Sequence, residues 1–401
     1  MIRPDLMEAP TSLYFVLLMQ TFVFIFFIIA LIYGVNELVL FGVILHAIAL
    51  IAYLWSRSSF SNVKTEISLN HLKIFPGDPL TINIIAENNK LLPILFKIDI
   101  YAPDVITNFV KKHWIHEELF LLSYQHSKIN RTFYPSKRGV YRFGAPLLRT
   151  GDPFGFFHRY REISDQKEVL VYPKIVPIKP VALMRKEFFK TPKNWSPVDD
   201  PILIFGTRDY QPNRSARNIN WKTSARFNRL QEKLCEPAAQ EKVLIIFDVT
   251  SFITEDIHEQ FEKSLEIVAS LSLALHRQGI PVGLVTNGKM KGNGCHILPI
   301  SSSDFQMSRI LESLARIQMR KLDTITTVIS KGFRLPWGTG CVYISNHQTS
   351  DLISVQSLLR RRGISLKILL SKLLPIKDDQ PPINLRNITV IADLLNHGGR
   401  E

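Results

Sequence analysis

The sequence predicts a mixed architecture: a two-helix transmembrane hairpin, an all-β sandwich and a doubly wound α/β domain. Three patterns carry that expectation. Two long uncharged apolar runs open the chain, short runs with apolar residues at every second position follow, and continuous apolar runs alternating with helical periodicity fill the carboxyl-terminal part. With 401 residues, 46% of them hydrophobic, there is room for two soluble domains beside the membrane segments. The formal charge of +14 suits nucleic acid, anionic lipid or an acidic protein partner. Cytoplasmic loops beside membrane spans produce the same excess, so charge alone names no partner.

Residues 13–33, LYFVLLMQTFVFIFFIIALIY, carry no charge. As a helix rising ~1.5 Å per residue they cover the ~30 Å hydrocarbon core of a bilayer. After the short turn GVNE, residues 38–55 supply a second uncharged run, LVLFGVILHAIALIAYLW, so that 1–57 reads as a helical hairpin. A cleaved signal peptide fits less well, because the basic start, the short apolar core and the small-residue cleavage site are missing. Arg3 before the first span, and Arg57 and Lys64 after the second, outweigh the connecting turn with its Glu37, which places the bulk of the chain in the cytoplasm. Gln20 and His46 are the polar residues inside the spans, each read as hydrogen-bonding across the hairpin or to a partner helix.

Beyond Trp55 the period changes to two. VKTEISLN, LTINIIAEN and ILFKIDIYA are antiparallel strands separated by PGD and NNKLLP. ELFLLSYQ, KINRTFYP and RGVYRFGAPLLR continue the series, and a β-sandwich over 60–175 accounts for them. His113, His116 and Glu117 in KKHWIHEELF look like metal ligands, but the spacing is not HExxH and the segment reads as solvated surface.

From residue 241 the pattern becomes strand, helix, strand. EKVLIIFDVTS is a buried strand ending in Asp248, a helix over 257–278 carries Phe261, Leu265, Val268 and Leu271, and IPVGLVTNG is the next strand. SDFQMSRILESLARI, GCVYISN, SVQSLLRRRG and ISLKILL repeat the alternation, so 241–401 reads as a doubly wound α/β domain with its binding edge at the carboxyl ends of the strands. Arg360–Arg362 ends a helix there and complements its dipole or faces solvent. Cys235, Cys295 and Cys341 are too scattered for CxxC pairs and read as reduced, buried thiols.

Residues 176–240 read as a linker holding the block DYQPNRSARNINWKTSAR, in which Arg214, Arg217, Lys222 and Arg226 surround Trp221 and Asp209 is the only acid. Three readings stand at this point. Trp221 is an anchor packed between domains with Arg217 and Arg226 forked onto carbonyls or carboxylates, or the block is a surface for an acidic protein. Nucleic-acid binding is the third and least suited, since the repeated aromatic platform of single-strand binders is missing.

Arg138, Gly139, Tyr141, Asp152, Pro153, Phe154 and Gly155 form one distinctive motif, RGVYRFGAPLLRTGDPFGFF, and Tyr210, Pro212, Arg217, Ile219, Trp221, Ala225 and Arg226 form another. With these motifs and this order of pieces, nearly the whole chain resembles the bacterial family called domain of unknown function 58. The resemblance implies that the last domain is similar to von Willebrand factor A domains, whose DxSxS loop and further threonine and aspartate hold a divalent cation. Here Asp248 and Thr250 supply the first two ligand types, but Phe252 replaces the third, and Ser345 and Asn346 stand where an aspartate is expected. Asp248 and Thr250 are therefore expected to form a degraded Mg²⁺ site with no bound cofactor, Asp248 capping the turn that follows. The block departs as well, with Asn213-Arg214 in place of Gly-Asp and Asn220 in place of an acid before the tryptophan.

No GxSxG elbow, phosphate loop or HExxH occurs in the sequence. The expected function is a non-catalytic, membrane-anchored adaptor of the bacterial inner membrane, with Tyr210, Arg217, Trp221 and Arg226 as partner-binding or interdomain residues. The resemblance implies a MoxR-type AAA+ ATPase as partner, a transglutaminase-like membrane protein as neighbour, and work in envelope assembly. The alternative is a metal-dependent enzyme of envelope metabolism built on the Asp248 edge.

Overall fold

The computed structural model describes residues 11–101, 114–143, 146–152, 156–163, 166–178, 199–212, 215–237, 242–255, 257–332, 335–336, 339–371 and 388–390. The chain divides into two compact units, Met1–Val171 and Tyr172–Glu401.

In the first unit, helices α1 (Thr11–Ile32) and α2 (Asn36–Arg57) are joined by a turn at which Gly34 adopts φ +72°, a conformation that costs glycine little. Gly42 brings the two helices close, since a Cβ there would stand 2.7 Å from Phe27 Cδ2. The expected cross-hairpin hydrogen bond of His46 is instead internal to α2. Its Nδ1 donates to the Gly42 carbonyl at 2.9 Å, and its ring lies against Phe24 and Phe27. Helix α2 is long and apolar enough to cross a membrane, and Leu40, Phe41, Ile44, Leu50 and Ile51 are all exposed on it.

Ten strands follow: β1 (Val63–Leu69), β2 (Lys73–Ile74), β3 (Leu80–Asn88), β4 (Ile94–Tyr101), β5 (Trp114–Leu121), β6 (His126–Phe133), β7 (Gly139–Phe143), β8 (Leu147–Gly151), β9 (His158–Glu162) and β10 (Lys167–Val171). They form sheets of order β1-β3-β6, β2-β10-β7 and β5-β4-β8-β9. The alternation read from the sequence is the alternation of burial. Leu80, Ile82, Ile84 and Ala86 of β3 and Ile94, Phe96, Ile98 and Ile100 of β4 point into one core shared by the sheets, the arrangement of a sandwich.

The segment around His116 and Glu117 is not simply solvated, as the sequence suggested. Strand geometry turns the two side chains to opposite faces: His116 Nδ1 lies 2.6 Å from Asp99 Oδ1, while the nearly buried Glu117 is held by the Arg131 guanidinium, whose protonated form it stabilises further by hydrogen bond and charge. His113 lies outside the described residues. The RGVY and DPFG residues build local structure. Tyr141 donates its hydroxyl to the Lys137 carbonyl at 2.6 Å, and the Asp152 carboxylate accepts from the Phe157 and Phe156 amides at 2.6 and 3.2 Å. Gly151 is required there, because a Cβ would meet the Phe157 carbonyl oxygen at 2.5 Å. Pro153, Phe154 and Gly155 lie outside the described residues.

The second unit contains β11 (Asp199–Asp209), α3 (Trp221–Phe227), β12 (Gln231–Pro237), β13 (Lys242–Phe247), α4 (Thr250–Glu255), α5 (His258–Arg277), β14 (Val282–Thr286), β15 (Gly288–Met290), β16 (Ile297–Ser301), α6 (Asp304–Arg316), β17 (Ile317–Lys321), α7 (Ile325–Gly332), β18 (Thr339–Ser345), α8 (Ser350–Arg361), β19 (Leu366–Leu370) and β20 (Ile388–Val390). Its main sheet runs β16-β14-β13-β18-β19-β20, parallel except for β16. The chain enters at β13, steps one way to β14 and then returns across β13 to β18, so the order reverses between these two central strands. Alternate residues of β13 face opposite layers: Leu244 and Ile246 join Ile325, Ile329, Leu352, Val355 and Leu359 of α7 and α8, whereas Phe247 stacks with Phe252 of α4 and Phe261 of α5. Part of the expected linker is structured, with β11 and β12 pairing as a hairpin around α3.

Cys341, fully buried in β18, has its thiol pushed up to about 12 by burial, whereas Cys295 is exposed, contrary to the expectation that all the cysteines are buried. A thiol reagent applied to the native protein at pH 8 is expected to modify Cys295 rapidly and Cys341 only after denaturation. Because the Cys341 pKa rises on folding from about 9 to about 12, its linkage leaves stability level below pH 9 and lowers it as pH climbs from there toward 12. Rapid modification of Cys341 in the folded chain would contradict its burial.

Candidate functional site

Two places carry the residues singled out in the sequence. The first is the β11–β12 hairpin. Tyr210 N–H donates to the Leu230 carbonyl at 2.9 Å, closing the hairpin, and Ser215 and Asn220 start a 3₁₀ turn and then α3. Asn220 is the N-cap, its side-chain oxygen accepting from Thr223 N–H at 3.3 Å. Asparagine caps as well as aspartate, so the missing acid leaves the helix start intact. Ser224 is the inward residue: its Oγ donates to the Asn220 carbonyl and accepts from Gln231 N–H, both at 2.8 Å, tying α3 to β12. Asn228 then ends the helix in the left-handed conformation, φ +56°.

This geometry turns Trp221, Lys222, Ala225 and Arg226 outward. Trp221 is 68% exposed, its ring turned away from its own hairpin. The reason is positional: Trp221 opens a seven-residue helix whose inward side is already filled by Ser224. Arg217, Lys222 and Arg226 are exposed and form no ion pair with a carboxylate among the described residues, whereas Arg229 is held by Asp209 at 3.1 Å. Asn213 and Arg214 lie outside the described residues.

The second place is the carboxyl edge of the main sheet, at the point where its strand order reverses and where α/β proteins commonly bind ligands. Asp248, the residue after β13, is completely buried. Its Oδ1 accepts from Thr250 N–H at 3.0 Å, Thr250 Oγ1 at 2.7 Å and Asn287 Nδ2 at 2.7 Å, and its Oδ2 from Tyr343 OH at 2.6 Å and Thr349 Oγ1 at 3.4 Å. Five neutral donors thus take up the acceptor capacity of one carboxylate. Burial first, and then the Asp248 charge, raise the Tyr343 hydroxyl well above its ordinary pKa, which keeps it a donor.

The neighbours are tied in as well, Asn346 through its backbone N–H and its Nδ2. Asn287 Oδ1 accepts from Val249 N–H at 2.9 Å, Asn346 N–H donates to Ser251 Oγ at 2.9 Å, and Ser345 Oγ donates to the His347 carbonyl at 2.9 Å. Phe252 belongs to the aromatic cluster with Phe247 and Phe261. A hard divalent cation needs oxygen lone pairs free to converge on it; the Asp248 oxygens are taken up by their donors, whereas Asn346 Oδ1 is buried and receives no hydrogen bond. Among the described residues no group of three histidines, cysteines or carboxylates is placed to hold a metal. Asn287, Tyr343 and Thr349 were missed in the sequence. Asn287 had a signal, since it directly follows a parallel strand, but Tyr343 reads as ordinary core.

Fold and site define a mixed α/β protein with an apolar amino-terminal helix pair, a β-sandwich and a sheet whose reversal point is closed by an internal hydrogen-bond network. Residues 206–374 match the sequence model of the family described as Protein of unknown function DUF58. The chain is also similar to the uncharacterized protein YeaD of Bacillus subtilis (strain 168), at 26% identity over 191 residues. That match spans 47% of this chain and 45% of the relative, less than half of either. Solved structures show only partial likeness. A β-glucosidase from Listeria innocua shares 15% identity at a TM-score of 0.19, covering 28% of this chain and 16% of the enzyme. A CARDB domain from Pyrococcus furiosus shares 13% identity at a TM-score of 0.20, covering 28% of this chain and 94% of that domain. Likeness at that level defines neither fold nor function.

Proposed function

We propose that this chain is a non-catalytic adaptor, anchored in the bacterial inner membrane by α1 and α2 with the sandwich and the second unit on the cytoplasmic side, which recruits a protein partner for envelope assembly. The observation that carries the reading is the outward face of α3, where a large aromatic side chain stands exposed among cations that have no carboxylate partner among the described residues. Tryptophan and arginine are the residues that dominate protein interfaces, because one offers area at low entropic cost and the other a fixed fork of donors. The complementary partner presents carboxylates around an apolar pocket. A MoxR-type AAA+ ATPase is the partner proposed, with a transglutaminase-like membrane protein as a further component. The von Willebrand factor A likeness of the second unit belongs to the same reading, as a scaffold whose metal edge has been replaced by hydrogen bonds.

The test is purification of the intact chain from native membranes in mild detergent, alongside Trp221→Ala and Arg226→Ala variants. An AAA+ ATPase is expected with the native chain, reduced at least about tenfold in each variant, in line with the ~2 kcal/mol or more of an interface hot spot. Equal recovery from all three would return α3 to a purely structural role, and no ATPase in any sample would remove the proposed partner.

A further inference from the structure

The sandwich carries an exposed apolar tip beside the end of α2. Asn88, fully buried, donates through Nδ2 to the Leu92 carbonyl at 2.9 Å and the Leu122 carbonyl at 2.8 Å, clamping the β3–β4 loop to the β5–β6 turn. Ser123 Oγ donates to the Leu91 carbonyl, and Tyr124 N–H to the Lys90 carbonyl at 3.2 Å. This rigid pair of loops holds Leu91, Leu122 and Tyr124 at 71%, 54% and 69% exposure. The cross-strand pair Leu95 and Phe120 extends the patch, both side chains again exposed. In a chain with 21% charged residues, 119–125 contains no charge and 88–95 contains only Lys90. The Lys90 amine is turned away from the tip, donating to the Ser58 and Ser59 carbonyls just beyond the α2 end at 2.5 and 2.6 Å. A contiguous exposed apolar patch marks a surface that meets protein or membrane.

What lies against the tip follows from where α2 places it. Trp55 Nε1 donates to the Pro93 carbonyl at 3.1 Å, and the Tyr53 ring lies 5.6 Å from that of Phe157. Both contacts fall in the last turn of the helix: Tyr53 to Arg57 spans about 6 Å at ~1.5 Å per residue. The loops therefore reach back alongside the helix end, at the level where tryptophan and tyrosine meet the headgroups of a bilayer. Strand β9, which begins directly after Phe157, is exposed along its whole length and brings His158, Arg159 and Arg161 to the same region, and Arg57 is exposed as well.

We propose that this tip is an interfacial membrane anchor: Leu91, Leu122 and Tyr124 insert into the headgroup and upper acyl region of the bilayer that α2 crosses, with Arg57 and Arg159 beside lipid phosphates. The proposal rests on the reading of α2 as membrane-embedded. It makes the bilayer part of the sandwich's surroundings and fixes the sandwich at the membrane, where a helix end alone would leave it free to tilt.

The test uses the full chain, with Cys235 and Cys295 replaced by serine, carrying one bimane-labelled cysteine at a time (Leu91→Cys, Leu122→Cys, Ile44→Cys in the middle of α2, or Ser357→Cys on the exposed face of α8). Each variant is reconstituted into phosphatidylcholine–phosphatidylglycerol vesicles. Lipids brominated near the glycerol end of the acyl chain are expected to quench the labels at 91 and 122, lipids brominated deeper the label at 44, and neither the label at 357. Labels at 91 and 122 reached by aqueous iodide but not by brominated lipid, with 44 still quenched, overturn the anchor and leave the spanning helix in place. Labels at 91 and 122 protected from both quenchers mean that protein, not lipid, covers the tip, and this too overturns it. A label at 44 open to iodide removes the membrane reading itself.

Discussion

Asp248→Ala is expected to destabilise the second unit by about 3–5 kcal/mol, the range for removing one member of a fully desolvated polar network. The substitution leaves the Thr250 amide and hydroxyl, the Asn287 amide and the Tyr343 hydroxyl around Asp248 without their acceptor. Hydrogen exchange of peptides from β13, β14 and β18 in the detergent-solubilised chain measures the loss where it occurs, with protection falling there before it falls in the sandwich. Tyr343→Phe is a milder companion, costing about 1.5–3 kcal/mol for one hydrogen bond to a charged group. It also has a pH signature. The Tyr343 pKa is raised on folding, so this residue's contribution is level below its ordinary value of 10.0 and is lost as pH rises above it. Phenylalanine abolishes that slope. Unchanged stability in Asp248→Ala, together with loss of a Mg²⁺-dependent reaction, would favour the metal-dependent enzyme instead.

Phe252→Ser places in the loop the ligand type that the von Willebrand factor A resemblance implies there, and it is expected to harm the protein without making a metal site. Phe252 is fully buried, with ring centroids 5.8 Å from Phe247 and 5.6 Å from Phe261. Truncating it opens a cavity in that cluster and buries a hydroxyl, a loss of about 3–5 kcal/mol. Mg²⁺ is expected to leave the melting temperature of both native and variant chains unchanged, since Asp248 already receives protein donors on both oxygens. A melting temperature that rises with Mg²⁺ in the variant alone would show that the aromatic substitution is what closes the site.

Several elements were legible in the sequence because each is decided by its own chain. An uncharged run the length of a bilayer needs no partner to be read as an apolar helix, and α2 is the helix so read. Period two in β3 and β4 reports burial of one face, and the unbroken apolar run of β13 reports burial of both. What the sequence determined, then, was the kind of each element and which of its faces avoids water.

The tertiary structure alone decided which residues meet. Donors to Asp248 come from four residues, one of them 101 positions away, and no local pattern marks Thr349 or Tyr343 as its partners. The antiparallel strand β16 and the β11–β12 hairpin arise from pairing across the fold, which short irregular runs do not announce. Glu117 is legible as a charge but not as a charge neutralised by Arg131. Trp221 shows the limit most directly: a tryptophan in a basic block does not say which way its ring faces, and it is the hydrogen bonds of Ser224 that turn the helix so that the ring points away from the hairpin. Periodicity records an average over one element's neighbours, whereas exposure and pairing depend on the particular neighbours that long-range packing supplies.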